Sequence, residues 1–201
     1  MKAQVALSLV VILIVILAVL SLVLVFNYNG IIKAEKRVEE AKADIEAACQ
    51  RRMDLIPNLV QAVKGYAQHE SNTLIAVTQA RQNAQEILKR ISSKKTLNKE
   101  DISALVSSQS TLMGSLKNLF ALAENYPDLK ASSNFLALQD QLEGTENRIN
   151  VARQRYNSVV RTYNTKIETF PGNIFAAMFG FGRKEYFEAK AEALEPVKVE
   201  F

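Results

Sequence analysis

The sequence predicts an all-α protein: a single N-terminal transmembrane helix followed by an antiparallel up-and-down four-helix bundle. Three observations carry that reading. From Ala3 to Gly30 there is no charged residue, and from Val5 to Val25 nearly every residue is Val, Ile, Leu or Ala. After Lys33 the chain turns charged and poor in Gly and Pro, with apolar residues recurring every three or four positions. Between Phe135 and Phe170 that recurrence sharpens into an unbroken heptad. The resulting division is 1–27 for the anchor, 28–172 for the bundle, 173–187 for an apolar and aromatic juxtamembrane segment, and 188–201 for a flexible tail.

The apolar run is about 21 residues, or roughly 31 Å of helix, which matches the hydrocarbon thickness of a bilayer. A cleaved signal peptide has a shorter apolar stretch, about 7–15 residues, and small residues at its cleavage site. Here the run ends in Leu22-Val23-Leu24-Val25-Phe26, which is bulky, and no cysteine lies near it. An uncleaved anchor is therefore expected. Lys2 precedes the span, whereas Lys33, Lys36, Arg37 and Lys42 follow it. By the positive-inside rule this leans toward a cytoplasmic domain, although Glu35, Glu39 and Glu40 are interleaved and large domains translocate regardless of charge.

The first helix runs on from the anchor through Val38, Ala41, Ile45, Cys49, Ile56, Leu59, Val63 and Tyr66. Pro57 lies inside this stripe and predicts a kink or a local break, because it lacks an N–H and clashes with the preceding turn. Gly65 and Gln68-His69-Glu70 mark the turn into a second helix striped by Leu74, Val77, Arg81, Ala84, Leu88 and Ile91. After a polar loop over 92–96, Asn98 and the acidic Glu100-Asp101 announce a third helix with Ile102, Leu105, Leu112, Leu116, Leu119 and Ala123. It ends before Pro127, and Ser132 or Ser133 caps the next.

The fourth helix places Phe135, Leu142, Ile149, Tyr156, Tyr163 and Phe170 one heptad apart, with Leu138, Thr145, Ala152 and Val159 as a companion seam and Arg155 on the opposite face. Phe170-Pro171-Gly172-Asn173 stops it. Alternating directions return the chain to the lipid at Phe170. The next residues, from Ile174 to Phe181, with Arg183 and Lys184 behind them, have the composition of a membrane interface. That run is too short to span, for which a helix needs roughly 20 residues. Phe175, Phe179, Phe181 and Arg183 are the candidate interface residues.

Composition excludes several function classes. Charges of both signs alternate along the chain around a net +4, without a dense basic cluster, so nucleic acid is not an expected partner. Cys49 is the only cysteine and His69 the only histidine, so neither an intrachain disulfide nor a multi-histidine metal site can form. No phosphate-binding glycine loop, nucleophile elbow, HExxH or GxGxxG pattern occurs. No catalytic residue, cofactor or metal is expected.

The words of the sequence carry more than its periods. Tyr28-Asn29-Gly30, Arg51-Arg52-Met53-Asp54-Leu55-Ile56-Pro57-Asn58-Leu59-Val60 and Val63-Lys64-Gly65-Tyr66 resemble the N-terminal signature of the LemA family. Glu124-Asn125-Tyr126-Pro127-Asp128-Leu129-Lys130, Leu142-Glu143-Gly144-Thr145-Glu146-Asn147-Arg148-Ile149, Tyr163-Asn164-Thr165-Lys166-Ile167 and Phe170-Pro171-Gly172-Asn173 continue the likeness. It spans roughly Tyr28 to Ala189. The resemblance implies a bacterial single-pass membrane protein with an antiparallel four-helix domain, and no established reaction.

Within these words, Arg51, Arg52 and Asp54 ahead of Pro57 read either as a partner-binding charge site or as solvation of a broken helix. Gly144 and Thr145 suggest close helix approach, and Glu146 with Arg148 an interhelical ion pair. His69 reads as exposed, and Cys49 as a small core residue. The function expected is a non-enzymatic, membrane-anchored helical scaffold or interaction module of the bacterial inner membrane. The alternative is a membrane-active, lipid-organising protein assembling at the bilayer surface. Expected partners are membrane lipid, a protein such as a membrane protease or envelope stress component, and a second copy of the chain.

Overall fold

The structure, a computed structural model, describes residues 2–67 and 69–187. It is all-α, with α1 (Lys2–Lys64), α2 (Ser71–Ser92), α3 (Lys99–Ala123), α4 (Pro127–Lys130), α5 (Ser133–Glu168) and α6 (Gly172–Phe179). The chain forms two compact units. One takes Met1–Val38 with Val159–Lys184, and the other Glu39–Ser158 with Glu185–Phe201. Helices α1 and α5 contribute to both. The tail expected over 188–201 and the turn residue Gln68 lie outside the described residues.

The larger unit is the bundle, made of 39–64 of α1, α2, α3 and 133–158 of α5. Its helices alternate in direction. Lys42, early in this part of α1, donates to the main-chain carbonyl of Lys94 beyond the end of α2 (2.6 Å). Arg155, late in α5, bridges to Glu40 (2.8 Å) and Asp44 (2.6 Å) of α1. Phe120 near the end of α3 stacks edge-on against Phe135 at the start of α5, centroids 6.0 Å apart. The expected stripes face inward: Ile45, Cys49, Ile56 and Leu59, then Val77, Ala84 and Ile91, then Leu105, Leu112 and Leu116, then Leu142, Ile149 and Tyr156 are all sealed from solvent. Helix α3 starts with a reciprocal capping box. The Asn98 side chain accepts from the Asp101 N–H (2.8 Å), and the Asp101 carboxylate accepts from the Asn98 N–H (3.3 Å).

Two elements go beyond the expected four helices. Pro127 sits at the start of α4, a single turn between α3 and α5, where its missing N–H costs nothing. The eight-residue α6 follows α5. At Pro57 the local break, one of the two outcomes expected there, does not occur, and α1 is helical throughout. The reason lies on another helix. Pro57 cannot donate to the carbonyl of Met53, four residues back, and the Nε of Arg81 on α2 donates to that carbonyl instead (2.8 Å). Arg81, the one charged residue of the α2 stripe, is the substitute donor.

The smaller unit holds 2–38 of α1, 159–168 of α5, and α6. From Val11 to Val25 every side chain points outward except the half-buried Leu24. An apolar helix without protein cover on any side suits lipid, and among the described residues this is the one helix long and apolar enough to cross a membrane, as in a membrane-anchored protein. Beyond the span, Ile31, Ala34 and Val38 are buried, as are Val160, Tyr163 and Ile167 of α5 and Phe175 and Ala176 of α6. Gly172 opens α6 where a Cβ would collide with the main-chain carbonyl of Lys166. Gly180 closes it in the left-handed region (φ 72°), with the Phe181 N–H returning to the Ala176 carbonyl (2.9 Å).

The heptad of α5 holds from Phe135 to Tyr163, all buried. Its companion seam drifts. Val159 is half-buried while Val160 is sealed, because a straight helix slips about 20° per heptad against a 3.5-residue repeat. Phe170 does not continue the ladder. The helix ends at Glu168, so two residues later its ring is 80% exposed. Tyr66 leaves its stripe for the same reason, lying past the end of α1.

Candidate functional site

Arg52 is the largest side chain sealed inside the bundle, with 1% of its surface exposed. A guanidinium in such a place must be paired, since an isolated buried charge is strongly disfavoured. Its Nη1 donates to the Oε1 of Gln109 on α3 (3.0 Å) and its Nη2 to the carboxylate of Glu146 on α5. Glu146 is itself 41% exposed, so the pair runs from core to surface. Three helices therefore meet on one arginine. This is possible because Arg52 sits one residue off the apolar stripe of α1, and because polar residues interrupt the α3 and α5 stripes at the same level.

Beside this triad lies a cleft of about 340 Å³ lined by Arg52, Gln109, Ser110, Gly114, Lys117, Glu146 and Arg153, with Val106 and Met113. Three of these residues each carry a buried donor without a protein acceptor: Nε of Arg52, Nε2 of Gln109 and Nε of Arg153. Burial, and then repulsion from Arg52, hold the pKa of Arg153 below its usual value, against the pull of Cys49 and Glu146. Its guanidinium also lies over the Phe187 ring, 5.9 Å from the centroid.

Neighbouring groups are held inert. Burial pushes the Cys49 thiol up to about 11, and the nearby arginines only partly offset this, so the thiol is no nucleophile at neutral pH. Burial likewise raises Tyr156 and, in the smaller unit, Tyr163 to about 12.

The sequence candidates divide. Arg52 and Glu146 come together. Arg51 is exposed and donates to Gln141 (3.2 Å), and Asp54 is exposed and accepts from Gln50 (2.7 Å). Arg148 is exposed, and the helix-crossing partner of Glu146 is Arg52. The close approach suggested by Gly144 is absent. Gly144 is exposed with nothing within 4 Å of a Cβ placed there, and Thr145 is the buried neighbour, bonded to the Leu142 carbonyl (2.7 Å). His69 is exposed.

Of the interface residues, Phe175 is buried within its unit, whereas Phe179 is 49% exposed and Phe181 half-buried. Tyr28, just past the span, stacks on Phe179 (4.9 Å) and lies 5.9 Å from Phe181. Arg183 is exposed and paired with Glu168 (3.3 Å).

Sequence reasoning missed Gln109, Arg153 and a buried ion pair between Lys184 and Glu35 (3.0 Å). It also missed two asparagine clamps. Asn164 donates to the Lys184 carbonyl and accepts from its N–H, both at 2.9 Å. Asn157 does the same to Phe187, at 2.8 and 2.9 Å. A signal was present, since Tyr-Asn recurs seven residues apart at Tyr156-Asn157 and Tyr163-Asn164.

A profile of the LemA family matches residues 41–201. The chain belongs to the LemA family. The match includes the whole arginine cleft. Protein LemA of Metamycoplasma hominis is 28% identical over 161 residues, covering 80% of this LemA-family chain and 68% of that protein. Magnetosome protein MamQ 2 of Paramagnetospirillum magneticum is 26% identical over 190 residues, 87% of this chain and 69% of that one. Magnetosome protein MamQ of Magnetospirillum gryphiswaldense is 25% identical over 200 residues, 90% and 74% respectively.

Proposed function

We propose that this LemA-family chain is a non-enzymatic, membrane-anchored scaffold of the bacterial inner membrane, whose bundle engages a protein partner. One observation carries the reading: α1 is a single helix that is apolar and exposed over 11–25 and contributes to the bundle core from Ile45 to Val63. The inert Cys49 and the protonated buried tyrosines fit a binding role better than acid–base chemistry. The names of the relatives state no reaction. The basic residues that follow the span favour a cytoplasmic bundle. A membrane protease or an envelope stress component suits as partner, and so does a second copy of the chain. The test is photo-crosslinking in intact membranes from the exposed bundle positions Ile75 and Val151, followed by mass spectrometry. Discrete adducts to one protein are expected. Adducts to lipid alone, from every bundle position, reject the scaffold.

A second reading, lipid organisation, has its own observation. Leu24, Val25, Tyr28 and Phe179 line one shallow apolar groove, and Ile174 and Met178 on α6 are exposed beside it. Exposed aromatics next to a span suit the headgroup region. In nanodiscs, a dye at Met178→Cys in a Cys49→Ala background should be quenched by spin-labelled lipid. Quenching only by an aqueous agent rejects this reading.

A further inference from the structure

We propose that the cleft between α1, α3 and α5 is a binding site for a compact phosphate-type dianion. Three of its lining residues carry donors that the protein leaves without acceptors. Arg52 is sealed and spends both Nη groups on Gln109 and Glu146, yet its Nε–H is buried and unmatched. The Nε2 of Gln109, a residue equally sealed, and the Nε of Arg153 are in the same state. Buried donors without acceptors are rare in folded proteins because each forfeits its bonds to water. Three such donors on the residues of one cleft point to a ligand that only accepts.

Charge selects the same ligand. The lining carries three cations, Arg52, Lys117 and Arg153, against the single carboxylate of Glu146. A dianion balances that excess, and Arg153 takes part in no ion pair among the described residues. A bound anion would relieve the repulsion between the two arginines. A phosphate group offers several acceptor oxygens at spacings a guanidinium edge can meet. The volume, about 340 Å³, takes a phosphate or a small phosphomonoester. The excess of cations disfavours a metal ion, and the polar lining an apolar ligand.

The site can be probed without disturbing the core. Lys117 is exposed on α3, and Gly114, one turn before it, has nothing within 4 Å of a Cβ. Gly114→Glu therefore sets a carboxylate at the lip of the cleft while improving helix propensity. The experiment uses the full chain in nanodiscs, titrated with inorganic phosphate against chloride at matched ionic strength. Thermal midpoint and 31P line width are read together. Phosphate should raise the midpoint saturably and broaden the 31P line, and chloride should do neither. Lys117→Gln should weaken binding about tenfold, as the loss of one charge-assisted bond does. Gly114→Glu should abolish it with the phosphate-free midpoint kept or raised. Glycerol phosphate in place of the free ion separates the two sources: tighter binding identifies a phosphomonoester, and weaker binding the free ion. The absence of a saturable response in the parent chain overturns the proposal. So does a response that survives Gly114→Glu.

Discussion

Arg52 sets an order of costs that its burial alone does not suggest. Its carboxylate partner is half in solvent, but the guanidinium is not. Glu146→Ala strands a buried charge and should cost about 1–3 kcal/mol, discounted for the exposed side of the pair. Arg52→Met removes the charge, keeps the volume, and should cost less. Denaturant midpoints of the two variants decide it, and the reverse order refutes the account. Asp101 gives a pH-dependent counterpart. Burial works against its carboxylate, but bonds from Lys94 and the Asn98 main chain outweigh that, and its pKa falls below the ordinary 3.8. A pKa lowered by folding adds stability above the unfolded value, and that stability is lost as pH falls through the folded one. Melting curves below about pH 4 should therefore show the parent chain losing more stability than Asp101→Asn.

Among the elements, α1 offers a test of cooperation between helices. Arg81→Leu should cost about 1–3 kcal/mol, because the Met53 carbonyl loses its donor. In a Pro57→Ala background the main chain regains its own N–H four residues after Met53, so the same change should cost clearly less. Additive effects in that double-mutant cycle would break the link between the two residues. On α5, Ile149→Ala should cost about 2–5 kcal/mol. Arg155→Ala removes only exposed bridges to α1 and should cost under about 1 kcal/mol. These examples mark what the sequence can reveal. The stripes of α2, α3 and α5 were legible because a helical period is local, and Asn98 was legible because its cap partner is three residues away. Phe170 misled because the heptad says nothing about where its helix stops. The donor for Met53 and the partners of Arg52 were hidden, since they lie 28 to 94 residues away in sequence. Two residues of the cleft, Gln109 and Arg153, carry no motif at all.

For the molecule as a whole, the exposed apolar helix predicts retention in carbonate-washed membranes, and release into the wash would remove the anchor. The bundle core adds something the chain can report about itself. Cys49 is the sole thiol, fully enclosed, with a pKa of about 11. At pH 8 only about one molecule in a thousand is a thiolate while folded, against roughly a quarter once the group meets water with its usual pKa. Enclosure suppresses attack further. The protein thus carries its own stopwatch: the rate at which a thiol reagent labels Cys49 counts the openings of the bundle. Under fast reclosing, that rate divided by the rate for the unfolded chain is the opening equilibrium constant. The whole bundle can then be followed inside an intact membrane, where heat and denaturant are blunt tools.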